Sequence, residues 1–175
     1  MKIELVAGSA GTNWRRRILP IAMMMAASAS STAQTADPTS FARAGDVQAK
    51  VADMEKAMKP DQGFAWQPLV RDGDRVAALE VWRKPGRPAV HPDEAEYATV
   101  IAGAGTLVSG GTLVDAEVKR PGLTEGSRIE GGTTRALAPG DVLLIPAGTP
   151  HWFGITGDRL VLLGTKLPAA RATPK

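Results

Sequence analysis

The chain has 175 residues, no cysteine, 43% hydrophobic and 22% charged positions, and a formal net charge of +3. This is one domain's worth of sequence with enough apolar residues for a core, and it excludes a disulfide scaffold and a thiolate metal site. Basicity would suggest an acidic partner, but Lys2, Arg15, Arg16 and Arg17 against Glu4 place +3 (four minus one) in residues 1–34, and the remainder balances 17 basic with 17 acidic residues. No basic stripe is left to follow nucleic-acid phosphates.

Residues 1–33 read as an export signal. Arg15-Arg16-Arg17 forms a positive n-region, and Ile18 to Ala29 forms an apolar core too short to span a bilayer. Ser31-Thr32-Ala33 then supplies small residues where a signal peptidase reads, which puts cleavage before Gln34. Trp14-Arg15-Arg16-Arg17-Ile18-Leu19 is similar to a twin-arginine signal, with Pro20 where a lysine often stands. The mature chain is therefore expected to be exported, periplasmic or secreted, without a membrane span.

Residues 34–63 are expected to be a linker followed by an amphipathic helix. From Phe41 to Lys59, Val47, Val51, Met54 and Met58 recur at spacings of four, three and four, on one helical face. Pro60-Asp61-Gln62-Gly63 stops the helix. That face packs either on its own domain or on a second copy, so a homodimer is one expected arrangement.

Residues 64–168 show no long helical period. Ten short runs read as strands: Trp66–Val70, Arg75–Arg83, Ala95–Ala102, Thr106–Ser109, Thr112–Val118, Arg128–Glu130, Thr133–Leu137, Val142–Ile145, His151–Ile155 and Arg159–Lys166. Asp72-Gly73-Asp74 and Ser109-Gly110-Gly111 read as hairpin turns, and Gly103 and Gly105 as a tight turn between strands. Many short strands with tight turns indicate an all-β sandwich or closed barrel. Residues 169–175 are a C-terminal tail.

The only two histidines, His91 and His151, stand in two short motifs. The first is His91-Pro-Asp-Glu-Ala-Glu96-Tyr-Ala-Thr-Val-Ile-Ala-Gly103, and the second is Gly140-Asp-Val-Leu-Leu-Ile-Pro146-Ala-Gly148-Thr-Pro-His151. Imidazole and carboxylate suit a borderline divalent metal. Strand alternation puts Ala98 and Val100 on the face of Glu96, and Phe153 and Ile155 on the face of His151. If those faces point inward, they make an apolar pocket around a few polar groups. The bland alternative makes His91 a loop residue and His151 a hydrogen-bonded core residue.

These motifs resemble those of the cupin superfamily, whose fold is a double-stranded β-helix, or jelly-roll barrel. The second motif matches from Gly140 through Pro146 and Gly148 to His151, with Ile155 where the family has asparagine. The first matches at His91, Glu96 and Gly103; Ala89 stands where the family has the first of two histidines, and Arg83 where it has the opening glycine. A second alignment makes His91 the first of the pair and Asp93 the second, with two residues before Glu96.

The resemblance implies a reduced metal site of His91, Glu96 and His151 for Fe, Mn, Zn, Ni or Cu, with open positions for water, O₂ or a chelating substrate. Asp93 or Glu94 is a candidate fourth ligand. Glu96 is also the candidate catalytic proton shuttle, and Ala89, Ala98, Val100 and Phe153 are candidate pocket residues. Arg83, Lys84 and Arg87 are either a solvated loop or candidates for attracting an anion, and Lys166 is a candidate for reaching the cavity mouth. Two functions follow as expectations: a metal-dependent enzyme of dioxygenase, isomerase or lyase type acting on a small oxygen-rich molecule, or an exported carrier or sensor that binds a small ligand without turnover. Ala89 and Ile155 favour the second; Glu96 and His151 favour the first.

Overall fold

A computed structural model describes residues 36–170. The export-signal reading of residues 1–33 lies outside the described residues. Helix α1 (Ala44–Ala57) comes first, and Asp46 caps it by accepting from the Arg43 backbone N–H at 2.9 Å. Eleven strands follow among the described residues: β1 (Phe64–Asp72), β2 (Arg75–Trp82), β3 (Ala89–Val90), β4 (Glu94–Ser109), β5 (Thr112–Val114), β6 (Glu117–Arg120), β7 (Leu123–Glu125), β8 (Arg128–Glu130), β9 (Thr133–Leu137), β10 (Val142–Ile145) and β11 (His151–Pro168). All their pairings are antiparallel, and the chain is an all-β jelly-roll barrel with a helix on its outside.

Two long strands organise the barrel. β4 pairs with β10 along its first half, β9 along its second, and β11 along most of its length. β11 in turn pairs with β2, and β2 with β1 through the expected Gly73-Asp74 turn.

Sequence reading splits β4 and β11 into two strands each, the first at the turn expected of Gly103 and Gly105 and the second between Ile155 and Arg159. In the structure each strand is continuous, and these residues are where it bends. Gly103 has φ +79°, and a Cβ there would stand 2.0 Å from the carbonyl oxygen of Arg159. Its glycine character therefore serves a close crossing of strands rather than a turn.

The register across β4 and β11 explains how both strand faces are used. Val100 pairs with Leu162 and Ala102 with Val161, so Ile101 is an extra residue, a β-bulge. The bulge switches the inward-facing set of β4 from Glu96, Ala98 and Val100 to odd-numbered positions ending at Leu107. The interior cluster holds Ala98, Val100, Leu107, Leu137, Ile145, Phe153, Leu160 and Leu162.

A second cluster lies outside the barrel, where Val51, Met54 and Met58 of the helix region cover Leu79, Val81 and Val161. The helical face that was a candidate dimer contact is thus taken up by the chain's own sheet. Its apolar stripe matches the outer residues of β2 and β11, so packing there buries both. No helix among the described residues is long and apolar enough to cross a membrane.

Candidate metal centre

The two motifs meet at one end of the barrel. β4 starts two residues before Glu96, and β11 starts at His151, so both side chains are set by strand geometry. His91 sits just after β3, and its carbonyl accepts from Gly148 N–H at 2.8 Å. That bond ties the first motif to the Pro146–Gly148 bend of the second. Ala89 pairs directly with His151 across β3 and β11. It therefore lies beside the site with a methyl group where an imidazole would reach in.

Among the described residues, one nitrogen each of His91 and His151 and one carboxylate oxygen of Glu96 lie within 4.8 Å of one another. Glu96 Oε2 is 3.4 Å from His151 Nε2 and 3.8 Å from His91 Nε2. All three side chains are largely removed from solvent, with 14%, 8% and 6% exposure for His91, Glu96 and His151.

The opposite ring nitrogens are spoken for. His91 Nδ1 lies 3.0 Å from the carbonyl oxygen of Gly122, and His151 Nδ1 lies 2.9 Å from that of Thr149. A carbonyl only accepts, so each Nδ1 carries a proton and each Nε2 is the atom turned toward Glu96, able to bind a metal once it holds no proton of its own. An ion with ~2.1 Å bonds spaces its ligand atoms roughly 3.0–3.4 Å apart, and the two separations from Glu96 Oε2 stand at or just above that range. The donor set fits a divalent transition metal. Asp93 and Glu94 are not in the cluster.

Electrostatics sets the charge states of two carboxyl groups. Burial alone would raise the Glu96 carboxyl, but the hydrogen bond with His151 and the charge of Lys166 outweigh it and hold the pKa at about 2. Glu96 is therefore ionised at neutral pH. His91 is pushed below its ordinary value, first by burial and then by the Lys166 charge, which favours the neutral, metal-binding ring.

Glu80 behaves oppositely. Burial first, and the nearby Glu96 charge second, push its pKa up to about 7, against the hydrogen bond that Oε2 accepts from Trp82 Nε1 at 3.0 Å. Sequence reading overlooked Glu80. The available signal was its parity: it is the acid between Leu79 and Val81, whose side chains turn the other way.

A cavity of about 800 Å³ opens beside Glu96, and its wall includes Glu80, Glu94, Lys166 and Trp66. Its size is that of a small-molecule site. Ala98, Val100 and Phe153 are packed in the interior cluster behind the site, and they do not line this cavity. A second hollow of about 540 Å³ beside the β1–β2 hairpin contains none of the cluster residues.

The basic residues are placed differently from expectation. Arg83 donates to the Glu55 carbonyl, Lys84 to that of Asp61, and Arg87 to that of Gly126 while facing Glu125. These three brace the helix end and the loops. The ammonium that does reach the site is that of Lys166, which contacts Glu96 Oε2.

No family model and no curated protein matches the chain. Similar solved structures include recombinant oxalate oxidase in complex with glycolate (TM-score 0.46, 16% identity, 66% of this chain and 57% of that one). They also include KdgF from Halomonas sp. (TM-score 0.44, 20% identity, 65% and 87%). A third is a cupin superfamily protein from Desulfitobacterium hafniense DCB-2 (TM-score 0.43, 15% identity, 63% and 82%). The match spans little more than half the length of the oxalate oxidase chain.

Proposed function

We propose that this cupin-fold chain is a metal-dependent enzyme acting on a small oxygen-rich organic molecule, with His91, Glu96 and His151 holding a divalent transition metal. The observation that carries the reading is the orientation of the two imidazoles, whose Nδ1 atoms are bonded to backbone carbonyls and whose Nε2 atoms converge on one carboxylate oxygen. An ion bound there supplies Lewis acidity, or O₂ activation where it is redox-active, at its open positions.

The chain's own residues bind, orient and move a proton. Gly122 and Thr149 hold the rings in the tautomer that leaves Nε2 free. The barrel interior excludes water behind the cluster. The proton-shuttling role expected of Glu96 belongs to Glu80 in this reading. A carboxyl held at about 7 on the cavity wall takes and returns a proton near neutral pH, whereas one held at about 2 does not.

Metal content of the exported mature chain, measured beside His91→Ala and His151→Ala, tests the proposal. Turnover of catechols, keto acids and sugars is assayed with and without chelator. Near-stoichiometric metal lost from both variants, with chelator-sensitive turnover, is the expected result. An empty native protein whose variants fold and bind ligand unchanged would remove the metalloenzyme reading.

Two observations favour a second reading, a carrier or sensor without turnover: Lys166 already neutralises Glu96, and Ala89, opposite His151, adds no imidazole to the ligand set. Metal or ligand bound at stoichiometry, with no turnover of any compound, is the outcome that selects it. Export is part of the proposal and rests on Arg15–Arg17, the apolar run Ile18–Ala29 and Ser31–Ala33. N-terminal sequencing of the exported protein, expected to start at Gln34, tests it.

A further inference from the structure

We infer that Lys166 is an internal cation that shares Glu96 with the metal: without metal its ammonium neutralises the carboxylate, and with metal bound it turns into the cavity to pair with the carboxylate of a small 2-oxo or 2-hydroxy acid. The inference rests on the metal reading above and deepens it by naming a substrate class.

Lys166 and Glu96 are direct partners in the register of β4 and β11. Directly opposed residues present their side chains on the same face, so the contact follows from strand pairing rather than from one side-chain torsion. The oxygen that Lys166 contacts is Oε2, the same atom that faces His91 Nε2 and His151 Nε2. The ammonium therefore competes for the atom on which the ligand set converges. A divalent ion placed there also repels the ammonium at short range, in surroundings where charges are weakly screened.

Lys166 has somewhere to go. Its side chain is 34% exposed, against 8% for Glu96, and it lines the 800 Å³ cavity. A lysine carries its charge on a flexible four-carbon stem, so the head moves while the strand stays in place.

Charge then selects the ligand. Without metal, Glu96 and Lys166 sum to zero. With a divalent ion they sum to +2, from +2 for the ion, −1 for Glu96 and +1 for Lys166. Glu80 stands on the same cavity wall, and when ionised it lowers the excess to +1, which is still positive.

A partly buried excess of positive charge favours an anion over a neutral polyol. A 2-oxo or 2-hydroxy acid offers two oxygens to neighbouring open metal positions and a further carboxylate oxygen to one ammonium. A phosphate ester would call for a cluster of cations, but Arg83, Lys84 and Arg87 are engaged elsewhere, and Arg75, the other cation lining the cavity, stands in solvent beside Asp72.

Co(II) titrated calorimetrically into the metal-free mature chain tests this, with wild type, Lys166→Met, Lys166→Arg and His151→Ala compared. Lactate and its neutral analogue lactamide are then added to the loaded proteins, and the visible Co(II) spectrum is read. Lys166→Met is expected to bind Co(II) at least about tenfold tighter than wild type, a change of about 1.4 kcal/mol. Loaded wild type is expected to respond to lactate and not to lactamide. Lys166→Met should lose at least about tenfold in lactate affinity, and Lys166→Arg should keep it.

Should Lys166→Met fail to fold, Lys166→Gln removes the same charge with a polar head. Equal Co(II) affinity with and without the lysine charge, or equal response to lactate and lactamide, overturns the inference and leaves the metal site standing. Failure of both wild type and Lys166→Met to bind Co(II) overturns the metal reading and this inference with it.

Discussion

The two faces of β2 and β11 bury side chains for different reasons. On the outer face, Leu79, Val81 and Val161 meet Val51, Met54 and Met58, and shape and apolar area are the whole of the interaction. On the inner face, the neighbouring residues Glu80 and Lys166 point toward Glu96 and the two histidines, where burial brings charges together. The outer face needs only fit. The inner one needs partners for every polar atom, and the oxygen shared by three of them is what makes it a candidate site. β2 thus places Leu79 and Val81 in the outer cluster and Glu80, between them, on the cavity wall.

The sharpest way to break the comparison is to remove a ligand. His151→Ala should weaken metal binding by more than about a hundredfold, beyond the 10–100-fold typical of losing an outer partner, measured by calorimetric titration. Met54→Ala should leave that affinity unchanged and cost about 2–5 kcal/mol of stability in urea unfolding, because Met54 is 1% exposed at the centre of the outer cluster. If Met54→Ala abolished metal binding while the chain stayed folded, the two faces would be coupled and the division drawn here would fail.

pH separates the two carboxyl groups of the inner face in the metal-free chain. Glu96 is held at about 2, below its ordinary value of 4.5, so its contribution to stability is present above pH 4.5 and is lost as pH falls toward 2. Glu80 is raised from 4.5 to about 7, so the folded state holds its proton longer than the unfolded one. Stability is favoured below pH 4.5 and declines as pH rises through 7. Glu80→Gln should therefore stabilise the chain by several kcal/mol at pH 8, at about 1.4 kcal/mol for each pH unit between 4.5 and about 7, and by almost nothing at pH 4. Equal effects at both pH values would show that Glu80 titrates like a surface acid.

The smallest effect belongs to neither face. Arg128 and Glu130 pair on the two-stranded β5–β8 sheet with more than half of each side chain exposed. Arg128→Ala should change stability by less than about 1 kcal/mol in the same unfolding assay.

Much of the site was legible from residue order. His91, Glu96 and His151 carry their chemistry in their identity, and strand alternation turned Glu96, Ala98 and Val100 to one side. The helical stripe Val47, Val51, Met54 and Met58 was equally plain, because a period near 3.6 needs no knowledge of what it packs on. What it packs on was not legible: a second copy and the chain's own sheet present the same apolar demand.

The glycines misled for a related reason. A glycine marks either a turn or a close crossing, and Gly103 belongs to the crossing only because Arg159, 56 residues later in sequence, passes beside it. The short strands β3 and β7 were hidden because two or three residues hold no measurable period.

By itself the sequence determined an all-β chain with an amphipathic helix and two histidine-bearing motifs, since these depend on local identity and spacing. Tertiary structure alone decided the rest. Register across β4 and β11 set Lys166 opposite Glu96, the fold of β2 brought Glu80 to the cavity wall, and loop ends tied down Arg83, Lys84 and Arg87. A charge acts on whatever stands within a few ångströms, and that neighbourhood is fixed by strand pairing between residues as far apart as 96 and 166, not by their order along the chain.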